Sequence, residues 1–216
     1  MTSEKIKRFV LFILGIFFSG LGIAFTKVGE LGVSPVSSIP NILSIKFPFF
    51  TIGTWLIIWQ MLLIIGEILI LRKEFKLYQL FQIPLAFILG YCTDFGVWLL
   101  SYIKVDTYVM QLIMVVAGVV VLAFGIALTI VADLILNCGE AFVKVVSDKL
   151  NKNFGNVKIT LDITYVTVSI VLSLFFFDFQ IKGAREGTII AAVFTGMCVK
   201  IITKLISKPL KKFVKK

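Results

Sequence analysis

Residues 21–35 read LGIAFTKVGELGVSP, and residues 124–138 read FGIALTIVADLILNC. Sliding the chain by 103 residues lays Gly22 on Gly125, Ala24 on Ala127, Thr26 on Thr129, Glu30 on Asp133 and Leu31 on Leu134. The shared string is G-I-A-x-T-x-V-x-[ED]-L, and Gly15 falls on Gly118 upstream of it. Later in each half an offset of 106 lays Thr54 on Thr160, Ala86 on Ala192, Gly90 on Gly196 and Cys92 on Cys198. The chain is therefore read as two copies of one unit.

What the unit contains follows from composition. Of 216 residues, 59% are hydrophobic and 16% charged, against about 45–50% and about 25% in soluble domains. A membrane protein is the class that remains. Six runs have the length of roughly 17 to 25 apolar residues that a helix needs to cross a bilayer: Phe9–Thr26, Thr51–Leu71, Leu77–Ile103, Thr107–Ala132, Ile159–Phe177 and Gly187 to about Leu205. The first is read as a retained helix rather than a cleaved leader, because five more spans follow. Each copy thus holds three crossings, an odd number, so the second copy enters the membrane from the opposite side. The expected fold is an all-α polytopic membrane protein, two inverted three-helix repeats at 8–103 and 107–205, followed by a basic tail at 206–216.

The net charge of +10 has a direction. Seventeen of the 22 Lys and Arg fall on the side of the N-terminus and five on the other, which predicts that both termini are cytoplasmic. Nucleic acid is excluded as a partner, since no soluble face exists to carry a basic patch. The expected partners are the bilayer and a small solute or ion, with homo-oligomerisation left open. There is no His, and Cys92, Cys138 and Cys198 lack any paired spacing, so no cofactor, metal or enzymatic nucleophile is expected.

Two connections are too polar for spans and too apolar for solvated loops: 30–50, ELGVSPVSSIPNILSIKFPFF, and 133–154, DLILNCGEAFVKVVSDKLNKNF. Pro35 and Pro40 interrupt helical hydrogen bonding, and irregular backbone survives at membrane depth only inside protein or beside water. Half-helices or re-entrant segments are expected. The second stretch also suits a surface amphipathic helix, with Phe142, Val143, Val146 and Leu150 opposite Lys144, Asp148 and Lys149. Ser34, Pro35 and Ser37 in the first connection, and Asn137 and Glu140 in the second, are candidates for a solute or ion pathway.

Ionisable groups within spans are costly and mark function by default. Asp94 lies deep in the third span, and its repeat mate is Lys200, which suggests an ion pair between halves or an element of a cavity wall. Glu67 also lies well within the second span, with an interfacial position five residues from Arg72 as the alternative, and Asp162 reads as near the membrane edge. Glu30 and Asp133 end the equivalent first and fourth spans, where carboxylates at opposite mouths of one cavity suit a gate or cation site, with ordinary boundary charges as the alternative. Arg185, Glu186 and Thr188 open the last span, where helix N-terminal amides favour an anion. Gly15, Ser19 and Gly22, like Gly118 and Gly125, are spaced for close helix packing.

The motif of Leu21–Pro35, the Gln-Ile-Pro of Gln82–Pro84 and, above all, GAREGTIIAAVFTG (Gly183–Gly196) resemble the YczE/YyaS/YitT family of bacterial integral membrane proteins over nearly the whole chain. The closing Arg-Glu-Gly-Thr resembles the YczE branch, and the soluble C-terminal domain of YitT-type members is lacking. The family's Pro-x-Asp pattern is absent, because Ser37 follows Pro35 and Val36; Glu140 aligns with Ser37 and carries a charge there instead. The resemblance implies a multi-pass bacterial plasma-membrane protein and no particular substrate. The function expected is a small secondary-type transporter using alternating access. The alternatives are a regulatory or scaffold membrane protein, or a solute-capturing subunit of a larger transporter.

Overall fold

A computed structural model describes residues 3–215. It has eight α-helices: α1 (Ser3–Val28), α2 (Pro35–Lys46), α3 (Ile52–Leu71), α4 (Gln82–Leu100), α5 (Tyr108–Ala132), α6 (Cys138–Leu150), α7 (Phe154–Phe176) and α8 (Glu186–Lys215). Among the described residues the only β pairing is a single bridge. Six helices are long and apolar enough to cross a membrane, and the protein is a multi-pass membrane protein. The other two, α2 and α6, have 12 and 13 residues. At 1.5 Å per residue they are about 18–20 Å long, short of the hydrocarbon core.

Helix boundaries follow local chemistry. Thr51 accepts from the Thr54 amide at the start of α3, and Thr107 from the Met110 amide at the start of α5. Pro84 falls in the first turn of α4, which begins at Gln82; the residues before it, Leu77–Phe81, form a 3-10 turn. Glu30 and Asp133, at equivalent positions after α1 and α5, both adopt left-handed backbone, with φ 57° and 51°. Short polar side chains tolerate that conformation at helix ends.

The halves are related by exchange. A Cβ added to Gly15 would lie 2.6 Å from Thr129 Cγ2 and 2.8 Å from the Gly125 carbonyl; one added to Gly118 would lie 2.6 Å from Thr26 Cγ2 and 2.8 Å from the Gly22 carbonyl. Each contact is the other moved by 103 residues with the partners swapped. Gly22 against Leu122 and Gly125 against Ser19 form a second exchanged pair. This is a pseudo-two-fold axis crossing the antiparallel α1/α5 pair, the geometry of an inverted repeat. Trp59 and Tyr165, equivalent at the 106 offset, meet edge to face across it at 5.7 Å.

Helix pairing obeys the same symmetry. α4 packs on α1 as α8 packs on α5, and α2 meets α7 as α6 meets α3. The half-helices begin against each other, Gly139 facing Val36, its own repeat mate. Both are buried within the bundle, α2 through Pro35–Ile42 and α6 through Cys138, Gly139, Ala141, Val143, Val145 and Ser147, and neither lies along the surface. The connection 133–154 is thus a half-helix preceded by an extended segment.

One pairing breaks the symmetry. α3 packs closely on α4, where Gly90 would place a Cβ 2.7 Å from the Gly53 carbonyl, but α7 and α8 have at most a marginal contact. Gly196, the mate of Gly90, has nothing within 4 Å. The cause is in the sequence: Ile159 stands where Gly53 stands, and Lys200 where Asp94 stands. The end of α8 is also not a separate tail; the helix runs on to Lys215 through Pro209, with Ile206 and Leu210 packed on the α1/α5 core.

Candidate functional site

A cavity of about 50 Å³ lies between the halves, on the side of the bundle where α1 begins. Its wall comes from α1, α4 and α5 and from the segment leading into α6. Most of it is apolar, and its polar groups are Ser19, Thr129, Asn137 and Glu140. It reaches the surface beside the exposed Ile130 and Leu136. The volume suits a few waters or a small solute rather than a drug-sized ligand. Asn137 caps α6, accepting the Cys138 amide at 2.9 Å. Glu140 sits in the first turn of α6, where the helix dipole favours a negative charge. Burial pushes its carboxyl above the ordinary range, partly opposed by the Lys158 ammonium on α7.

The equivalent region at the far face is filled. Gly32, the mate of the cavity residue Ile135, pairs with Ala184 in the bridge. The Gly187 amide donates to the Leu31 carbonyl at 2.8 Å, and Asn41 Nδ2 donates to the Gly183 carbonyl at 2.7 Å. Lys27, the mate of the cavity residue Ile130, sends its ammonium to Asn41 Oδ1 at 2.8 Å and Ser44 Oγ at 3.2 Å. Glycine is needed throughout this clasp. Gly32 and Gly183 have φ of 120° and 75°, and a Cβ on Gly187 would lie 2.7 Å from the Leu31 carbonyl. The equivalent positions near the cavity are Ile135, Leu77 and Phe81, so no matching clasp can form there.

A second polar group lies inside the bundle. Glu67 of α3 is 0% exposed, and its Oε2 accepts from Gln82 Nε2 at 3.0 Å. Cys138 Sγ donates to the Gln82 carbonyl at 3.8 Å. The buried position within the second span holds over the interfacial alternative, because Arg72 has φ 48° and begins a 3-10 turn that leaves the helix. Gln82 gave a signal only as part of Gln-Ile-Pro, and Lys27 only as an orientation charge.

The residues singled out by sequence are distributed as follows. Asn137 and Glu140 line the cavity. Ser34 and Ser37 bond to each other at 2.5 Å where α2 begins at Pro35, opposite the start of α6. Thr188 is buried against Gly32 in the clasp, and Arg185 and Glu186 form an exposed ion pair at 3.1 Å beside it. Asp94 does not meet Lys200, which is exposed on α8. Its carboxylate instead accepts from Thr51 Oγ1 at 2.6 Å and the Gly53 amide at 2.8 Å, holding α4 to the N-terminus of α3. α4 ends at Leu100 rather than Ile103, so Asp94 lies within two turns of the helix end. Glu30 and Asp133 are exposed helix-end residues, and Asp133 lies 4.0 Å from Arg8. Neither borders the cavity.

Residues 6–204 match a family model described as a family of unknown function (DUF6198). No curated protein and no solved structure matches the chain.

Proposed function

The chain belongs to DUF6198, a family described as of unknown function, and from its own geometry we propose that it is a small secondary-type membrane transporter working by alternating access. One observation carries this reading. Residues 135–137 line an accessible cavity, whereas Gly32 and Val33, the mates of 135 and 136, are buried at the Gly183–Thr188 clasp. Two equivalent faces in opposite states are what an inverted-repeat transporter presents at one stage of its cycle. With the Lys and Arg bias placing both termini in the cytoplasm, the cavity faces inward and the clasp closes the outside. A bacterial plasma membrane is the proposed location, in keeping with the resemblance of residues 183–196 to the YczE branch.

In this scheme Ser19, Thr129, Asn137 and Glu140 contact the solute from the inside. Ser34, Ser37 and Thr188, with Lys27 and Asn41, become accessible when the clasp opens. Arg185 and Glu186 flank that outer entrance. A docking role for a larger complex draws support from α8, whose span is the least buried of the six.

The test is solute-driven charge movement or uptake in proteoliposomes across a panel of small polar solutes and ions. Transport that falls at least about tenfold in Glu140→Gln, with the protein still folded, is the expected result. A panel with no response, or a response that Glu140→Gln leaves unchanged, counts against the assignment.

A further inference from the structure

Buried polar side chains in proteins are almost always hydrogen-bonded, and exceptions ask for an explanation. Two of the exceptions here fall on one hydrogen-bonded pair. Glu67 Oε1 and Gln82 Oε1 are both buried with no hydrogen-bond partner, although the same two side chains are joined through Glu67 Oε2 and Gln82 Nε2. Glu67 is 0% and Gln82 1% exposed. Among the described residues no Lys or Arg forms an ion pair with Glu67.

Two bare oxygens on one hydrogen-bonded pair lack a donor. A carboxylate has none to offer, the Gln82 amide spends one N–H on Oε2, and no other donor bonds to either bare oxygen. A neutral carboxylic acid on Glu67 supplies the missing donor from Oε1 and pairs with an amide as acid and amide groups do, accepting one bond and donating one. It also removes an unpaired charge from the interior of the bundle.

We propose that Glu67 and Gln82 form a proton-binding site, with Glu67 held as a neutral acid while the α3, α4 and α6 seam is closed. The groups facing it from neighbouring helices are Gln82 on α4 and Cys138 on α6; Cys138 also lies within electrostatic reach of Glu140. Lys158 and Asp162 of α7, paired at 2.8 Å, act on Glu140. When α6 moves and water enters from the cavity, the Oε1–H bond breaks, its electron pair stays on the carboxylate and the proton passes to water. This makes Glu67 the coupling-proton site of the transporter proposed above. The proton-holding pair itself does not depend on that reading.

The experiment needs no transported solute, so its failure is separable from failure of the transporter reading. Infrared difference spectra are recorded on the full-length protein in lipid nanodiscs at neutral and alkaline pH. A protonated-carboxyl C=O band at neutral pH that is lost in Glu67→Gln and displaced in Gln82→Asn is the expected result. Glu67→Gln is a close mimic of the neutral acid and keeps the fold, which its thermal unfolding beside the wild type verifies. If the wild type and Glu67→Gln give the same carboxyl spectrum, Glu67 is ionised and the proposal is overturned. If sodium ions raise the unfolding temperature of the wild type but not of Glu67→Gln, the pair holds a metal cation, and the proposal is overturned equally.

Discussion

Gly22→Leu abolishes the folded bundle, whereas Gly196→Leu leaves it intact. In a bilayer no hydrophobic force drives helices together, so the α1/α5 pair depends on backbones approaching closely enough for dispersion contacts. A Cβ on Gly22 would fall 2.6 Å from the Leu122 Cα and closer still to its amide nitrogen, and neither backbone atom can rotate away. Overpacking a core typically costs about 1–3 kcal/mol, and more where only the backbone can yield. A loss of more than about 3 kcal/mol at the central seam is expected. The measurement is the yield of monodisperse protein in detergent and its thermal unfolding. A Cβ on Gly196 of α8 would have nothing within 4 Å, so the same side chain is accommodated there.

Gly187→Val opens the far face without unfolding the chain. The new side chain meets the Leu31 carbonyl, displaces the Gly187 amide bonded to it at 2.8 Å, and pushes Thr188 off Gly32, so the bridge to Ala184 goes with it. Two backbone hydrogen bonds at about 1 kcal/mol each amount to about 2 kcal/mol. That corresponds to roughly a thirtyfold shift in an opening equilibrium. A cysteine placed at Ser34, in a background without Cys92, Cys138 and Cys198, reports it by its rate of reaction with a membrane-impermeant maleimide. The expected rise in rate is of that order, with an unfolding temperature close to that of the parent.

The repeat was readable because its markers are packing residues. Gly15, Gly22, Thr26, Gly118, Gly125 and Thr129 are fixed by the close α1/α5 approach, and a symmetric contact imposes the same residue types twice. Pro35 and Pro40 likewise announced a half-helix. The clasp was only half visible: the Arg-Glu-Gly-Thr stretch stood out, but its partner Gly32 lies about 150 residues away and carries no local signal. Charge was harder to place. Asp94 pointed to Lys200 through the repeat but holds the N-terminus of α3 instead, and Glu67 kept an interfacial alternative because Arg72 follows closely, whereas it is fully buried. Glu30 and Asp133, matched across the repeat, share a left-handed helix end, and neither borders the cavity.

Exchange of states between the two faces is read by thiol accessibility at Asn137→Cys, on the cavity, and Ser34→Cys, its mate near the clasp, in sealed vesicles of known orientation. Position 137 is expected to react from the N-terminal side faster than position 34 reacts from the far side, and a transported solute or Gly187→Val is expected to reverse the two reactivities together. Reactivities that never change, or that rise and fall independently of each other, would contradict that exchange.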